Sequence, residues 1–138
     1  MARSALYIGL MSGTSIDGVD AVLADFSPAV PRIVAQASLC MPPALRQEFL
    51  ALNQPGDNEL ARAALAGNEL IRLYAKACHQ LLDEAGAAPE DIAAIGAHGQ
   101  TVRHDPAQGY TLQLNAPALL AELTGIAVIA DFRTRDVA

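Results

Sequence analysis

Apolar positions along the chain fall into two periods, one near two residues and one near 3.6. Leu6-Tyr7-Ile8-Gly9-Leu10-Met11 and Val19 to Phe26 are short apolar runs separated by a cluster of Gly, Ser, Thr and Asp, which predicts strand, hairpin, strand. Pro28 and Pro31 punctuate the next turn, and Arg32 to Cys40, carrying Ile33, Val34, Ala35 and Leu39, predicts a third strand. Three such strands in succession make an antiparallel meander. Met41-Pro42-Pro43 ends the third strand, a short helix is expected near Ala44 to Leu52, and Asn53-Gln54-Pro55-Gly56 breaks it. A long helix follows, with Asn58 as its N-cap. Leu60, Ala64, Gly67, Ile71, Tyr74, Cys78, Leu81 and Ala85 recur at helical spacing until Gly86 supplies the stop.

Beyond Gly86, Ile92 to Gly96 predicts a compact strand leading into Ala97-His98-Gly99-Gln100-Thr101, where apolar residues give way to groups that bind. Tyr110 to Leu114 alternates like an edge strand, Ala116 to Leu123 reads as a helix, and Gly125 to Ala130 as a last buried strand. The pattern is α/β: a mixed sheet with a three-strand antiparallel meander plus parallel strands and flanking helices. Its element order is similar to that of the ribonuclease-H-like domain of actin-like kinases. Several α/β domains share such an order, so the loops must decide function.

Composition narrows the choice. At 138 residues, 52% hydrophobic and 17% charged, the chain is expected to fold as one domain with a real core. A net charge of −6 with only nine Lys and Arg disfavours binding to nucleic acid. No segment approaches the roughly 20 apolar residues of a membrane helix, and the N-terminus lacks a signal-peptide pattern. Cys40 and Cys78 are too few for a disulfide scaffold and lack metal-ligand spacing, so they read as free thiols in a reducing cytoplasm.

The candidate chemistry lies in three segments. Ser12-Gly13-Thr14-Ser15-Ile16-Asp17-Gly18-Val19-Asp20 joins the first two strands. Gly13 and Gly18 suit positive φ or close backbone approach, exposed amides can form an anion-binding concavity, and the hydroxyls add donors. Asp17 and Asp20 would repel a bare phosphate; their use would be to hold a hydrated magnesium ion or to fix the loop. The segment lacks the Gly-Lys-Ser/Thr ending of a Walker A loop, and a strand rather than a helix follows, which excludes a Rossmann fingerprint. Asp17-Gly18 is also a strong hairpin dipeptide, and taken alone a plain turn is the favoured reading.

His98-Gly99-Gln100-Thr101 offers an imidazole, an amide and a hydroxyl suited to a polar sugar, with a capped turn as the alternative. A metal site from His98, His104 and Asp105 has no known ligand spacing behind it. Arg133, within Asp131-Phe132-Arg133-Thr134-Arg135-Asp136, carries a donor fork that fits a ligand carboxylate, while a solvated ion-pair cluster is the simpler account.

Taken together and in this order, Ile8 to Asp20, Ile95 to Val102 and Asp131 to Asp136 closely resemble the anhydro-N-acetylmuramic acid kinases, ATP-dependent sugar kinases of the actin-like superfamily. The resemblance runs from about Tyr7 to the end; Pro28 to Pro89 matches in pattern more than in signature residues. It implies hydrolysis of the 1,6-anhydro ring and phosphorylation to N-acetylmuramic acid 6-phosphate, in peptidoglycan recycling and amino-sugar catabolism, with ATP and Mg2+ as cofactors. Carried over, Gly13, Thr14, Ser15, Ile16, Asp17, Gly18, Val19 and Asp20 would cradle the ATP phosphates, and His98, Gln100 and Arg133 would line the sugar cleft, Arg133 near the lactyl carboxylate.

Family members are longer than this sequence. The aspartate that activates the attacking water is expected beyond residue 138, in an Asp-Thr-Gly-Pro-Gly segment that does not occur here. Residues 1–138 are therefore expected to form the N-terminal lobe of a two-lobe cytoplasmic kinase, with no catalytic residue of their own and no activity alone. A homodimer stays open. So do a non-catalytic nucleotide-binding or assembly module with an actin-like half domain, and another actin-like small-molecule kinase.

Overall fold

The computed structural model describes residues 4–138, and the meander expected at the start of the chain is its first feature. Strands β1 (Leu6–Ser12), β2 (Gly18–Asp25) and β3 (Arg32–Cys40) pair antiparallel in succession, with Ser12 opposite Val19 and Gly18 opposite Cys40. Alternation sorts their side chains between two faces. Ile8, Leu10 and Ser12 of β1 and Val19, Ala21 and Leu23 of β2 turn into the core, while Tyr7 and Met11 stay exposed on the other side.

Helix α1 (Pro43–Leu52) begins at a proline, whose fixed φ and missing N–H suit a first helical turn, and it buries Leu45, Phe49 and Leu52. Helix α2 (Glu59–Ala85) crosses the covered face of the sheet, burying Leu70, Ile71, Tyr74, Ala77, Cys78 and Leu81 at helical spacing. Burial pushes the Cys78 thiol up to about 12. Asn58 stands at the predicted cap position, and its carbonyl accepts the first helical bond from Arg62 N–H at 3.1 Å, but its side chain makes no cap bond. Its backbone is left-handed, with φ of 56°, a conformation Asn tolerates better than most residues. At the other end, Gly86 and Ala87 donate their N–H groups to Asp83 and Leu82, closing α2 with a Schellman motif.

Strand β4 (Ile92–Ala97) returns to the sheet parallel to β1, Leu10 standing opposite Ala97. Gln100 and Thr101, expected in the binding segment after β4, begin strand β5 (Gln100–Asp105), which pairs with β6 (Tyr110–Leu114) as a separate two-stranded ribbon. Gln100, Thr101, Arg103, His104 and Asp105 are polar, so hydrophobic period could not mark β5; its pairing with β6 makes the strand. Arg103 anchors the ribbon to the helical layer, donating to the Leu52 carbonyl at 3.0 Å and pairing with Glu59 at 2.7 Å. The Arg103 guanidinium, helped by the Gly56 N–H, holds the Glu59 carboxyl below its ordinary range.

Helix α3 (Pro117–Thr124) ends at Gly125, with φ of 71°, so the strand expected from Gly125 begins only at β7 (Val128–Ala130), parallel to β4. Helix α4 (Phe132–Val137) follows. The sheet order is β3-β2-β1-β4-β7, a mixed sheet with flanking helices. On the face away from α2, Tyr7, Gly9, Val22, Ala24, Phe26, Gly96, Ile129 and Phe132 line an apolar trough of about 670 Å³. No helix among the described residues is long and apolar enough to cross a membrane.

Phe49 is fully buried and joins α1 to the core. Phe49→Ala is expected to destabilise the domain by about 3–5 kcal/mol, most of it the cavity left behind. Urea unfolding read by far-UV circular dichroism measures this, and a loss under about 1 kcal/mol would mean that α1 does not contribute to the core as described.

Candidate functional site

Parallel pairing brings the three segments together. β1, β4 and β7 run in one direction, with Leu10 opposite Ala97 and Ala97 opposite Ala130, so all three end at the same sheet edge. Gly13 follows the first, His98 the second and Asp131 the third. Carboxyl ends of parallel strands are where open α/β sheets bind ligands.

In the hairpin, Gly13 accepts from Ile16 N–H at 3.1 Å, closing a turn, and the Asp17 carbonyl accepts from Met41 N–H at 3.0 Å, tying the loop to the end of β3. The positive φ expected of a glycine belongs instead to Ile16, at 55°. A β-branched residue seldom adopts that region, and here its side chain, 2% exposed, is held in the core. Gly18 serves close approach within the protein: a Cβ there would stand 2.7 Å from the Leu39 carbonyl oxygen. At Gly13 a Cβ would meet nothing within 4 Å, so the open ground is at the start of the loop. Among the described residues, no protein acceptor takes the N–H groups of Thr14 and Ser15.

Val19 is fully buried and shapes the loop only through packing. Asp17 accepts from the Ser15 hydroxyl at 2.8 Å and Asp20 from the Ser38 hydroxyl at 2.7 Å, both at the surface. No group of three or more metal-ligating side chains occurs among the described residues. His104 bonds Thr111 at 2.9 Å, and Asp105 caps the turn after β5.

His98 N–H donates to the Leu10 carbonyl at 3.2 Å, joining the second segment to β1. Its Nδ1 lies 2.9 Å from the Gly99 carbonyl oxygen, which assigns the ring proton there and leaves Nε2, buried and without a partner, as an acceptor. Gly99 has φ of 80°, and a Cβ would stand 2.5 Å from the Leu114 carbonyl oxygen, so only glycine fits. Gln100 is fully buried: its Oε1 accepts from the Ser12 hydroxyl, and its Nε2 donates to the Gly13 carbonyl at 3.1 Å.

Sequence reasoning did not find Tyr74. The α2 periodicity marks it as packing, yet its buried hydroxyl accepts the Gly99 N–H at 3.1 Å. That burial drives its phenol well above the ordinary value, against the opposing pull of the Gly99 and Ser12 hydrogen bonds. A Tyr in place of Leu at a core helical position was the available signal, since a buried hydroxyl needs a partner.

Arg133, half-buried on α4, pairs with Asp136 at 3.1 Å, and no hydrogen bond joins it to the hairpin or to His98. Its neighbour Phe132 packs on Gly96. The trough on the sheet face, and one of about 660 Å³ between α1 and α2, are lined by none of the hairpin residues, His98, Gln100 or Arg133.

A family model described as anhydro-N-acetylmuramic acid kinase matches residues 5–138. Among curated relatives with that name, one from Bordetella pertussis is 68% identical over 133 residues, covering 96% of this chain and 35% of its own length. One from Variovorax paradoxus is 61% identical, covering 96% and 36%, and one from Cupriavidus pinatubonensis 57% identical, covering 99% and 38%. The chain thus spans little more than a third of these relatives' length.

The two hairpin glycines should respond differently to a methyl group. Gly18→Ala is expected to cost about 1–3 kcal/mol by forcing β2 away from β3, whereas Gly13→Ala should change stability by less than about 0.5 kcal/mol. Paired urea melts of the two variants check the difference; equal losses would remove the distinction between a packed and an open glycine.

Proposed function

The chain belongs to the anhydro-N-acetylmuramic acid kinase family, and from that premise we propose that it supplies the phosphate-binding lobe of an enzyme that opens the 1,6-anhydro ring and phosphorylates the sugar to N-acetylmuramic acid 6-phosphate. The observation that carries the proposal is the convergence of Gly13, His98 and Asp131 at one edge of the sheet. The order β3-β2-β1-β4-β7 supports a ribonuclease-H-like lobe of the actin-like kind, and residues 1–138 are read as one lobe of two.

In this reading the hairpin Gly13 to Asp20 holds the ATP phosphates. The Thr14 and Ser15 N–H groups are unclaimed donors, and the space beside Gly13 admits a bulky anion. The donor set also fits Mg2+: Asp17 and Asp20 are exposed carboxylates, each engaged by one serine hydroxyl, which suits them to hold a hydrated ion through water. Mg2+ would offset phosphate charge and draw electron density from the transferring group.

On the sugar side, His98 offers Nε2 as a hydrogen-bond acceptor for a hydroxyl or amide, provided the loop turns that buried nitrogen outward. Arg133 offers its guanidinium to a carboxylate, exchanging Asp136 for the ligand. The group that activates water is expected outside residues 1–138, because no carboxylate joins the hydrogen-bonded groups of Ser12, Tyr74, His98 and Gln100. Free Cys40 and Cys78 agree with a cytoplasmic enzyme.

Gly13→Val places two methyl groups where the phosphates approach, so in a family-length protein it should weaken ATP binding about tenfold or more, roughly 1.4 kcal/mol, without unfolding the lobe. Isothermal titration with ATP and Mg2+ measures this, and unchanged affinity would remove the hairpin from the phosphate site. Purified residues 1–138 should give no ATP-dependent phosphorylation of the anhydro sugar; turnover by that protein would refute the two-lobe reading.

A further inference from the structure

A chain of buried hydrogen bonds runs from the Gln100 side chain to Ser12 and Gly13, and Tyr74 holds the neighbouring Gly99. Gly99 N–H donates to the Tyr74 hydroxyl oxygen at 3.1 Å. Ser12 donates to Gln100 Oε1, and Gln100 Nε2 donates to the carbonyls of Gly13 at 3.1 Å and Thr101 at 3.4 Å. The directions are forced. Reversing the Gln100 amide would set its oxygen against two carbonyl oxygens, so Nε2 must face them. Ser12 has a single hydrogen and gives it to Gln100, and the Tyr74 hydroxyl oxygen accepts from Gly99.

Ser12, Tyr74 and Gln100 are 2%, 0% and 0% exposed, so no atom of the Gln100 amide is open to a ligand. The two ends of this chain are the two loops at the sheet edge: Gly99 and Gln100 on one side, Ser12 and Gly13 on the other. Tyr74 holds the Gly99 side from the middle of α2, the element that spans the sheet.

Resting on the phosphate-hairpin reading, we propose that Gln100 and Tyr74 are positioning residues. They hold the Gly13 carbonyl inward and join the hairpin to the His98–Gln100 loop as one unit, so that the N–H groups of Thr14 and Ser15 keep a fixed direction toward the ATP phosphates. Gln100 acts through Ser12 and Gly13 and is not a ligand of the sugar.

The test uses the family-length protein, with ATP affinity measured by titration, steady-state KM for each substrate, and hydrogen exchange at the hairpin amides. Gln100→Leu should weaken ATP binding about tenfold and speed exchange at Thr14 to Asp17 while α2 stays protected. Ser12→Ala should do the same more weakly, and the double variant should be no worse than Gln100→Leu alone, because both changes break one bond. Tyr74→Phe removes a single oxygen and serves if Gln100→Leu does not fold; it too should loosen the hairpin amides.

Multiplying effects in the double variant would overturn the proposal. So would a rise in sugar KM alone, which would make Gln100 a sugar ligand. Unchanged ATP affinity in both Gln100→Leu and Tyr74→Phe, with Gly13→Val still impaired, would overturn the positioning role and leave the hairpin reading intact. If Gly13→Val is unimpaired as well, the reading beneath fails and the positioning role fails with it.

Discussion

The parallel pairing of β1 with β4 governs the rest of the structure. Two parallel strands cannot be joined by a tight turn, so the chain between them must travel back across a face of the sheet. The meander takes part of that path and α1 and α2 take the remainder, covering one face with Phe49, Leu70, Ile71 and Leu81. The same pairing sets the carboxyl ends of β1 and β4 side by side, and β7 continues the pattern. Three segments far apart in sequence, at Gly13, His98 and Asp131, thereby share one edge.

Bringing those ends together carries polar backbone into a dry interior. Each buried donor or acceptor left unmatched there costs about 1–3 kcal/mol, against a total stability of about 5–15 kcal/mol for a domain. Ser12 and Gln100 satisfy each other and the Gly13 carbonyl, and Tyr74 takes the Gly99 N–H. Gly99 completes the arrangement, since a side chain at that position would collide with Leu114. The loops at the edge are thus continuous with the core, the hairpin through Gln100 and the Gly99 loop through Tyr74 of α2.

Most of the elements were legible in the order of residues. Apolar runs with Gly and Asp between them specify the β1–β2 hairpin, and Gly67, Ile71, Tyr74, Cys78 and Leu81 specify the buried face of α2, although Leu60 and Ala64, expected on the same stripe, are exposed. β5 was not legible, because a strand held by its neighbour's backbone needs no hydrophobic period. The role of Asn58 was half legible: the cap position is right, but the bond is made by its carbonyl instead of its side chain. The expectation of a flexible glycine went to Ile16, whose left-handed backbone is held by the burial of its side chain.

The amino-acid sequence by itself determined the family and the identity of the three chemical segments, because those rest on residue types in a fixed local order. Tertiary structure alone decided what each residue does. Gly18 packs against Leu39 while Gly13 stands in the open; Gln100 is spent inside the protein; Tyr74, 25 residues before Gly99 in the sequence, is brought to it by α2. The reason is physical: a hydrogen bond or a steric contact depends on which atoms lie within about 3 Å, and that distance is set by strand register and helix placement across the whole domain.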